Sequence, residues 1–232
     1  MINVRKAADR GHTDIGWLDS RHSFSFNTYH DPKQMGFRAL RVINEDRVAG
    51  GAGFPRHGHR DMEILTWVLE GALEHEDSTG AHAVLRPGMI QRMSAGRGIV
   101  HSEYNHSKTE PVHFYQIWIQ PSELGIVPRF EDREFPAEGR RNKFQIVASA
   151  AGTDGEPDIA QDADVLVATV EPDAVVEQAI GAGRHFWLQL ARGAIELNGL
   201  LLEAGDGAAG VEESKLKIKG REQADLILFD LA

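Results

Sequence analysis

Two short strings concentrate the metal-ligating side chains of this chain: His57-Gly58-His59 and His101-Ser102-Glu103. Each sets two potential ligands at a spacing of two. In a β-strand, alternate side chains share a face, and two residues rise by roughly 6.6 Å. Two such pairs on neighbouring strands converge four ligand atoms on one ion. Three imidazoles with one carboxylate suit iron, manganese, nickel, copper, cobalt or zinc, whereas calcium and magnesium prefer oxygen ligands. Glu63, four residues beyond His59, falls on the same face by strand parity. With Glu103 available it would be a fifth ligand, one more than an open site takes, so a supporting role is expected for it.

The elements that must position these residues read as strands. Short apolar runs broken by turn residues recur along the chain, and 3.6-residue periodicity is scarce, the pattern of a β-sandwich or barrel. Residues 62–70 predict an interior strand, apolar on both faces, and residues 114–120 an aromatic-rich one. Turns are expected at 77–80 and 86–88. Residues 121–139, with three prolines and several charges, read as a crossover, and 150–157 as a polar surface loop. Strands follow at 165–170, 185–190, 194–198, 215–218 and 226–231. Gly71-Ala72-Leu73-Glu74 answers to Gly193-Ala194-Ile195-Glu196, and Pro87-Gly88 to Ala204-Gly205, a pattern of duplication. The core expected for the second half is Phe186, Leu188, Leu190, Ile195, Leu197, Leu226, Leu228 and Phe229. His185 is its only histidine, so no metal is expected there.

Composition narrows the function. The chain of 232 residues has no cysteine, which removes disulfides, thiolate ligands and cysteine nucleophiles together. Its net charge of −10 and scattered arginines argue against direct nucleic-acid binding. No apolar run approaches the roughly 20 residues of a membrane span, and the N-terminus lacks a signal-peptide core. A cytoplasmic location is the expectation. There is no phosphate loop, and Gly96-Arg97-Gly98 is too short for a dinucleotide fingerprint. A nucleophile elbow is absent as well.

Longer stretches of the chain resemble the pirin family of the cupin superfamily, and bacterial pirins of the quercetinase type in particular. They are Gly16-Trp17-Leu18-Asp19-Ser20, His22-Ser23-Phe24-Ser25-Phe26, Met35-Gly36-Phe37 and Leu40-Arg41-Val42-Ile43-Asn44. Further on come residues 57–63, with His57 and His59, residues 71–78, and residues 93–103, with His101 and Glu103. The resemblance is dense over 1–135 and dilute beyond. It implies an all-β bicupin: two jelly-roll barrels, an N-terminal metal-binding cupin domain over 1–135 and a C-terminal one over 136–232 without metal. It places the four family ligands on His57, His59, His101 and Glu103, around one divalent transition metal ion, iron before manganese, nickel, copper, cobalt or zinc.

The activity this implies is a quercetin 2,3-dioxygenase acting on a flavonoid and O₂. Four ligands on an octahedral ion leave two positions open, and Glu103 doubles as a base toward the 3-hydroxyl. Phe26, Trp67 and Met93 are candidates for pocket walls. His22 is assigned to structural packing. A metal- or redox-sensing interaction module without turnover, with a protein partner, is the competing reading, and another metal-dependent small-molecule enzyme such as an isomerase is a third. The chain is expected to be a monomer.

Overall fold

The computed structural model describes residues 1–152 and 159–232. The loop expected over 150–157 lies, from residue 153 on, outside the described residues. The first strands are β1 (Ile2–Arg5), β2 (Gly11–Asp14), β3 (Leu18–His22), β4 (Leu40–Val48), β5 (Gly53–His59), β6 (Glu63–Glu70) and β7 (Leu73–Asp77). They are followed by β8 (His82–Leu85), β9 (Met89–Ser94), β10 (Ile99–Asn105), β11 (Val112–Ile119) and β12 (Arg129–Glu134). After a one-turn helix, α1 (Ala137–Arg140), come β13 (Gln145–Ser149), β14 (Ala163–Val170), β15 (Val175–Ala179), β16 (His185–Arg192) and β17 (Ala194–Leu197). The chain ends with β18 (Leu200–Glu203), β19 (Gly207–Val211), β20 (Lys215–Gly220) and β21 (Ala224–Leu231).

These strands form two cupin barrels, each of two antiparallel sheets. The first has a seven-stranded sheet, β12-β9-β6-β11-β4-β3-β2, and a four-stranded one, β5-β10-β7-β8. The second has β1-β19-β16-β21-β14-β13 and β15-β20-β17-β18. From β3 to β11, each strand of the first barrel has a counterpart ten strands later in the same place, and β1 stands where β12 does. The glycine pairs expected to mark a duplication agree: Gly71 and Gly193 both have φ of +74°, and Gly88 and Gly205 have +93° and +88°. A Cβ at Gly193 would stand 2.1 Å from the Gln223 carbonyl oxygen, so only glycine fits that turn.

The compact units do not follow the chain in simple order. One comprises Gly11–Glu134 with the described residues of Ala151–Gln161; the other comprises Met1–Arg10, Phe135–Ala150 and Asp162–Ala232. Residues 1–10, expected with the N-terminal domain, thus lie in the C-terminal unit. Their strand β1 pairs with β19, and Ile2 and Val4 pack on that unit's core. An edge strand's apolar pattern says that it has a buried face, not which sheet it joins. The crossover expected over 121–139 also contains a strand. β12 (Arg-Phe-Glu-Asp-Arg-Glu) pairs with β9 at a sheet edge, where solvent on one side leaves no apolar pattern to read.

β6 is buried along nearly its whole length between β9 and β11. Its Ile, Thr, Trp and Val suit a strand packed on both faces. In the second barrel, Phe186, Leu188, Leu190, Ile195, Leu197, Leu226 and Leu228 form one core cluster, as expected. Phe229 is buried outside that cluster, on the opposite face of β21 by parity. The strands that correspond to β5 and β10 are β15 and β20, and they carry Val, Glu, Gln, Ala, Lys, Leu, Ile and Gly.

Gly53 shows how tightly the site's two strands are joined. A Cβ there would stand 2.4 Å from the Glu103 carbonyl oxygen and 2.5 Å from Tyr104 Cα. Gly53→Ala is therefore expected to force β5 off β10 and to cost about 1–3 kcal/mol of stability. Denaturant unfolding of both proteins checks this, and an unchanged midpoint contradicts it.

Candidate metal centre

β5 and β10 are antiparallel neighbours, with His101 directly opposite His57 and Ile99 opposite His59. Beyond His101 the register slips, because Glu103 pairs with Phe54. Pro55 and Arg56 of β5 thus face Ser102 alone. Proline has no N–H to give to a ladder, and a bulge is where a strand tolerates it. The Pro55 carbonyl turns to accept a hydrogen bond from His57 Nδ1 at 2.8 Å. That bond fixes the tautomer, leaving His57 Nε2 with a free lone pair.

The three imidazoles converge. Ring centroids are 4.8 Å apart for His57 and His59, 4.4 Å for His57 and His101, and 4.9 Å for His59 and His101. One nitrogen from each lies within 4.8 Å of the others. Glu103 falls in a second grouping, in which a carboxylate oxygen lies within the same 4.8 Å limit of His101 and His75. Among the described residues it is not grouped with His57 or His59, and His101 is common to both sets. Gln116 Nε2 donates to both Glu103 oxygens, at 3.1 and 3.0 Å, and fixes the carboxylate's orientation.

His75 and Asp77 were not expected at the site. On β7, the other neighbour of β10, His75 pairs with Glu103 and Asp77 with His101. The Asp77 carboxylate accepts from His75 Nε2 at 3.2 Å, and His101 Nδ1 then donates to His75 Nδ1 at 3.4 Å. Asp77 is itself held by the Thr79 backbone and hydroxyl, at 2.7 and 2.6 Å. This chain leaves the lone pair of His101 on Nε2, which is fully buried and has no hydrogen-bond partner among the described residues. A buried, unpartnered acceptor beside two more imidazoles fits a metal cation, and orientation of a ligating histidine from behind by a hydrogen-bonded partner is usual at such sites. The only sequence signal for His75 was its place in the stretch 71–78, which carries the family resemblance.

The electrostatics favour neutral rings. Burial, reinforced by His57, lowers His59 from 6.5 to about 4. Burial and the neighbouring rings lower His101 to about 2. Burial pushes Glu103 up to about 7 against the hydrogen bond from Gln116. Burial also lowers His75, opposed by Asp77.

Glu63 stands apart. It opens β6 in the other sheet, so parity along one strand does not link it to His59. Its Oε2 accepts from Ser94 at 2.7 Å, and among the described residues it joins neither grouping of ligand-type side chains.

A cavity of about 520 Å³ opens beside the imidazoles, lined among others by His57, His59, Glu103, Gln116, Phe26 and Trp118. Trp118 meets both Phe26 and His59 edge-on, at 5.4 and 5.0 Å. Phe26 is a wall, as expected. Trp67 packs near Tyr115, and Met93 joins a buried cluster with Ile64, Ala95 and Ile99, so neither lines the cavity. Both sit in the seven-stranded sheet; β6, which carries Trp67, is apolar on both faces, and β9, which carries Met93, mixes apolar and polar residues on each, so neither strand's pattern fixes the cavity face. His22, assigned to packing, does line the cavity, with Ser20, Asn44 and Asp46.

In the metal-free protein, His59 and His101 are expected to remain neutral at pH 5.5. Their folded values lie below 6.5, so the stability they contribute is present above about 6.5 and is lost as pH falls toward 4. Histidine-ring NMR titration after chelation is the measurement, and two rings titrating near 6.5 would contradict the geometry.

Comparisons with known proteins agree with this architecture. The family model described as Pirin matches residues 3–119, and that of the quercetinase C-terminal cupin domain matches residues 146–231. The chain is 47% identical to a quercetin 2,3-dioxygenase of Escherichia coli K12 over 232 residues, which is 100% of this chain and 99% of the relative. It is 42% identical to a pirin-like protein of Caulobacter vibrioides, covering both chains completely. A crystal structure of an E. coli bacterial pirin in complex with nickel(II) superposes with a TM-score of 0.94 at 46% identity, covering 100% of this chain and 99% of that one. With both barrels matched along their length, the chain belongs to the pirin family.

Proposed function

We propose that this protein is a metal-dependent dioxygenase that opens the central ring of flavonols such as quercetin, with His57, His59, His101 and Glu103 as the metal ligands. The observation that carries the reading is the buried, unpartnered Nε2 of His101 beside two further imidazoles, His57 and His59, that line a 520 Å³ cavity. The family's quercetin 2,3-dioxygenase member and the nickel(II) complex of a bacterial pirin support it. Nickel thus stands beside iron among the ions this site is proposed to take. The absence of cysteine is compatible with a cytoplasmic location.

When bound, the ion supplies Lewis acidity that favours the ionised flavonol and a place for dioxygen. The chain's own residues do the rest. Glu103 takes the proton of the 3-hydroxyl on a carboxylate oxygen, and Gln116 keeps that carboxylate aimed while the proton moves. Asp77 and His75 hold the His101 ring in the tautomer that leaves Nε2 unprotonated. Trp118 and Phe26 offer flat apolar surface to an aromatic substrate and exclude water from it. Overall, flavonol and O₂ become a depside and carbon monoxide. A cavity of this size beside the imidazoles is what a small-molecule substrate requires, which favours turnover over a module read only by a protein partner.

Oxygen uptake with quercetin, alongside metal analysis of each variant, tests this. His57→Ala and His101→Ala are expected to lose the metal and the activity together. Glu103→Gln is expected to lower turnover by about 10²–10⁴-fold, the usual span for removal of a general base. Glu63→Gln is expected to leave metal content and turnover close to wild type. Fully metal-loaded wild type with no flavonol-dependent oxygen uptake or carbon monoxide release would overturn the dioxygenase.

A further inference from the structure

The cavity has a polar wall that the ligand set does not account for. It lies in the seven-stranded sheet, across from the imidazole-bearing strands. On β3 and β4, Ser20 pairs with Asp46, and His22 with Asn44. Gln116 of β11 pairs with Asn44 on its other side. All five side chains line the cavity. Most of this wall is satisfied within the protein: Asn44 Oδ1 lies 2.8 Å from His22 Nδ1, His22 Nε2 lies 2.9 Å from the Thr13 hydroxyl, and Gln116 is bonded to Glu103.

Asp46 is the exception. Its side chain is 5% exposed, and one oxygen, Oδ1, accepts a hydrogen bond from the Ser20 hydroxyl. The other oxygen, Oδ2, has no hydrogen-bond partner among the described residues. Among the described residues, no cationic side chain bears on the carboxyl. The charged groups that bear on it are Glu45 and Asp19, both acidic, and Asp46 in turn bears on Glu103. Burial, aided by those acids, pushes it up to about 7 against the Ser20 hydrogen bond. A desolvated carboxyl without a countercharge is costly unless something donates to it. Asp46 lies two residues beyond Asn44 on β4, roughly 6.6 Å along the strand from the level of Gln116 and Glu103. A donor that reaches it therefore belongs to a part of the substrate remote from the group Glu103 handles.

We infer that Asp46, oriented by Ser20, is a specificity-determining residue that accepts a hydrogen bond from a phenolic hydroxyl of the substrate remote from the 3-hydroxyl. This rests on the flavonol reading of the site and deepens it. It assigns the protein to polyhydroxylated flavonols rather than to the bare ring system. A site built to pair with a hydroxyl rejects the analogue that lacks it, because its own polar group is then left unpaired.

The test is equilibrium binding to nickel-loaded protein without oxygen, with two ligands: quercetin, and 3-hydroxyflavone, which carries only the 3-hydroxyl. Wild type is expected to bind quercetin at least about tenfold more tightly than 3-hydroxyflavone, the ratio typical of one hydrogen bond to a carboxyl. Asp46→Ala is expected to bring that ratio close to one by weakening quercetin alone. Asp46→Asn keeps the shape and guards against misfolding, and Ser20→Ala, which frees the carboxyl to swing, should lower the ratio in part. Metal content and melting temperature are recorded for each. If the variants bind both ligands and keep the wild-type ratio, Asp46 does not select the substrate and the inference is overturned, while the flavonol reading stands. If wild type binds neither ligand, the flavonol reading fails and takes this inference with it.

Discussion

The pairing of β5 with β10 is the constraint on which the site depends. It sets His101 opposite His57, and strand alternation then brings in His59. The bulge at Pro55 and Arg56 lets the ladder resume with Glu103 on Phe54 and supplies the carbonyl that fixes the His57 tautomer. A one-residue slip in this pairing would turn the imidazoles to opposite faces. The close backbone approach at Gly53 leaves little room for such a slip.

β7 completes the arrangement from the other side of β10. Its His75 and Asp77 face Glu103 and His101 across the ladder, so one strand carries two of the proposed ligands and its neighbour carries the side chains that orient them. Burial keeps the His59 and His101 rings neutral, the form that can ligate, and leaves His101 Nε2 without a hydrogen-bond partner among the described residues. An ion that binds only the folded state would offset the cost of that unpartnered acceptor and couple metal binding to the stability of the first barrel.

The second barrel has the same strand order without the histidines of β5 and β10. Its turn glycines adopt the same left-handed backbone. Where the first barrel has histidines on β5 and β10, the second has Val, Lys and Ile among the residues of β15 and β20. Its interior is a continuous aliphatic and aromatic cluster. The jelly-roll topology thus forms with or without the histidines of β5 and β10.

Local features of the sequence determined a good deal. The two ligand pairs were legible because a spacing of two has a fixed meaning in a strand. The strands over 62–70, 114–120 and 185–190 were legible because continuous apolar runs mark buried strands. The duplication showed in glycines that only a left-handed turn requires. Other features were decided by tertiary structure. Glu63 shares no strand with His59, Trp67 and Met93 turn away from the cavity, and residues 1–10 join the second barrel. His75, Asp77, Gln116, His22 and Asp46 reach the site through pairings between strands far apart in the chain. The periodicity of a single strand records that one face is buried. Which partner strand lies alongside, and in what register, is set by the packing of the whole sheet, and that register places each side chain at the cavity or away from it.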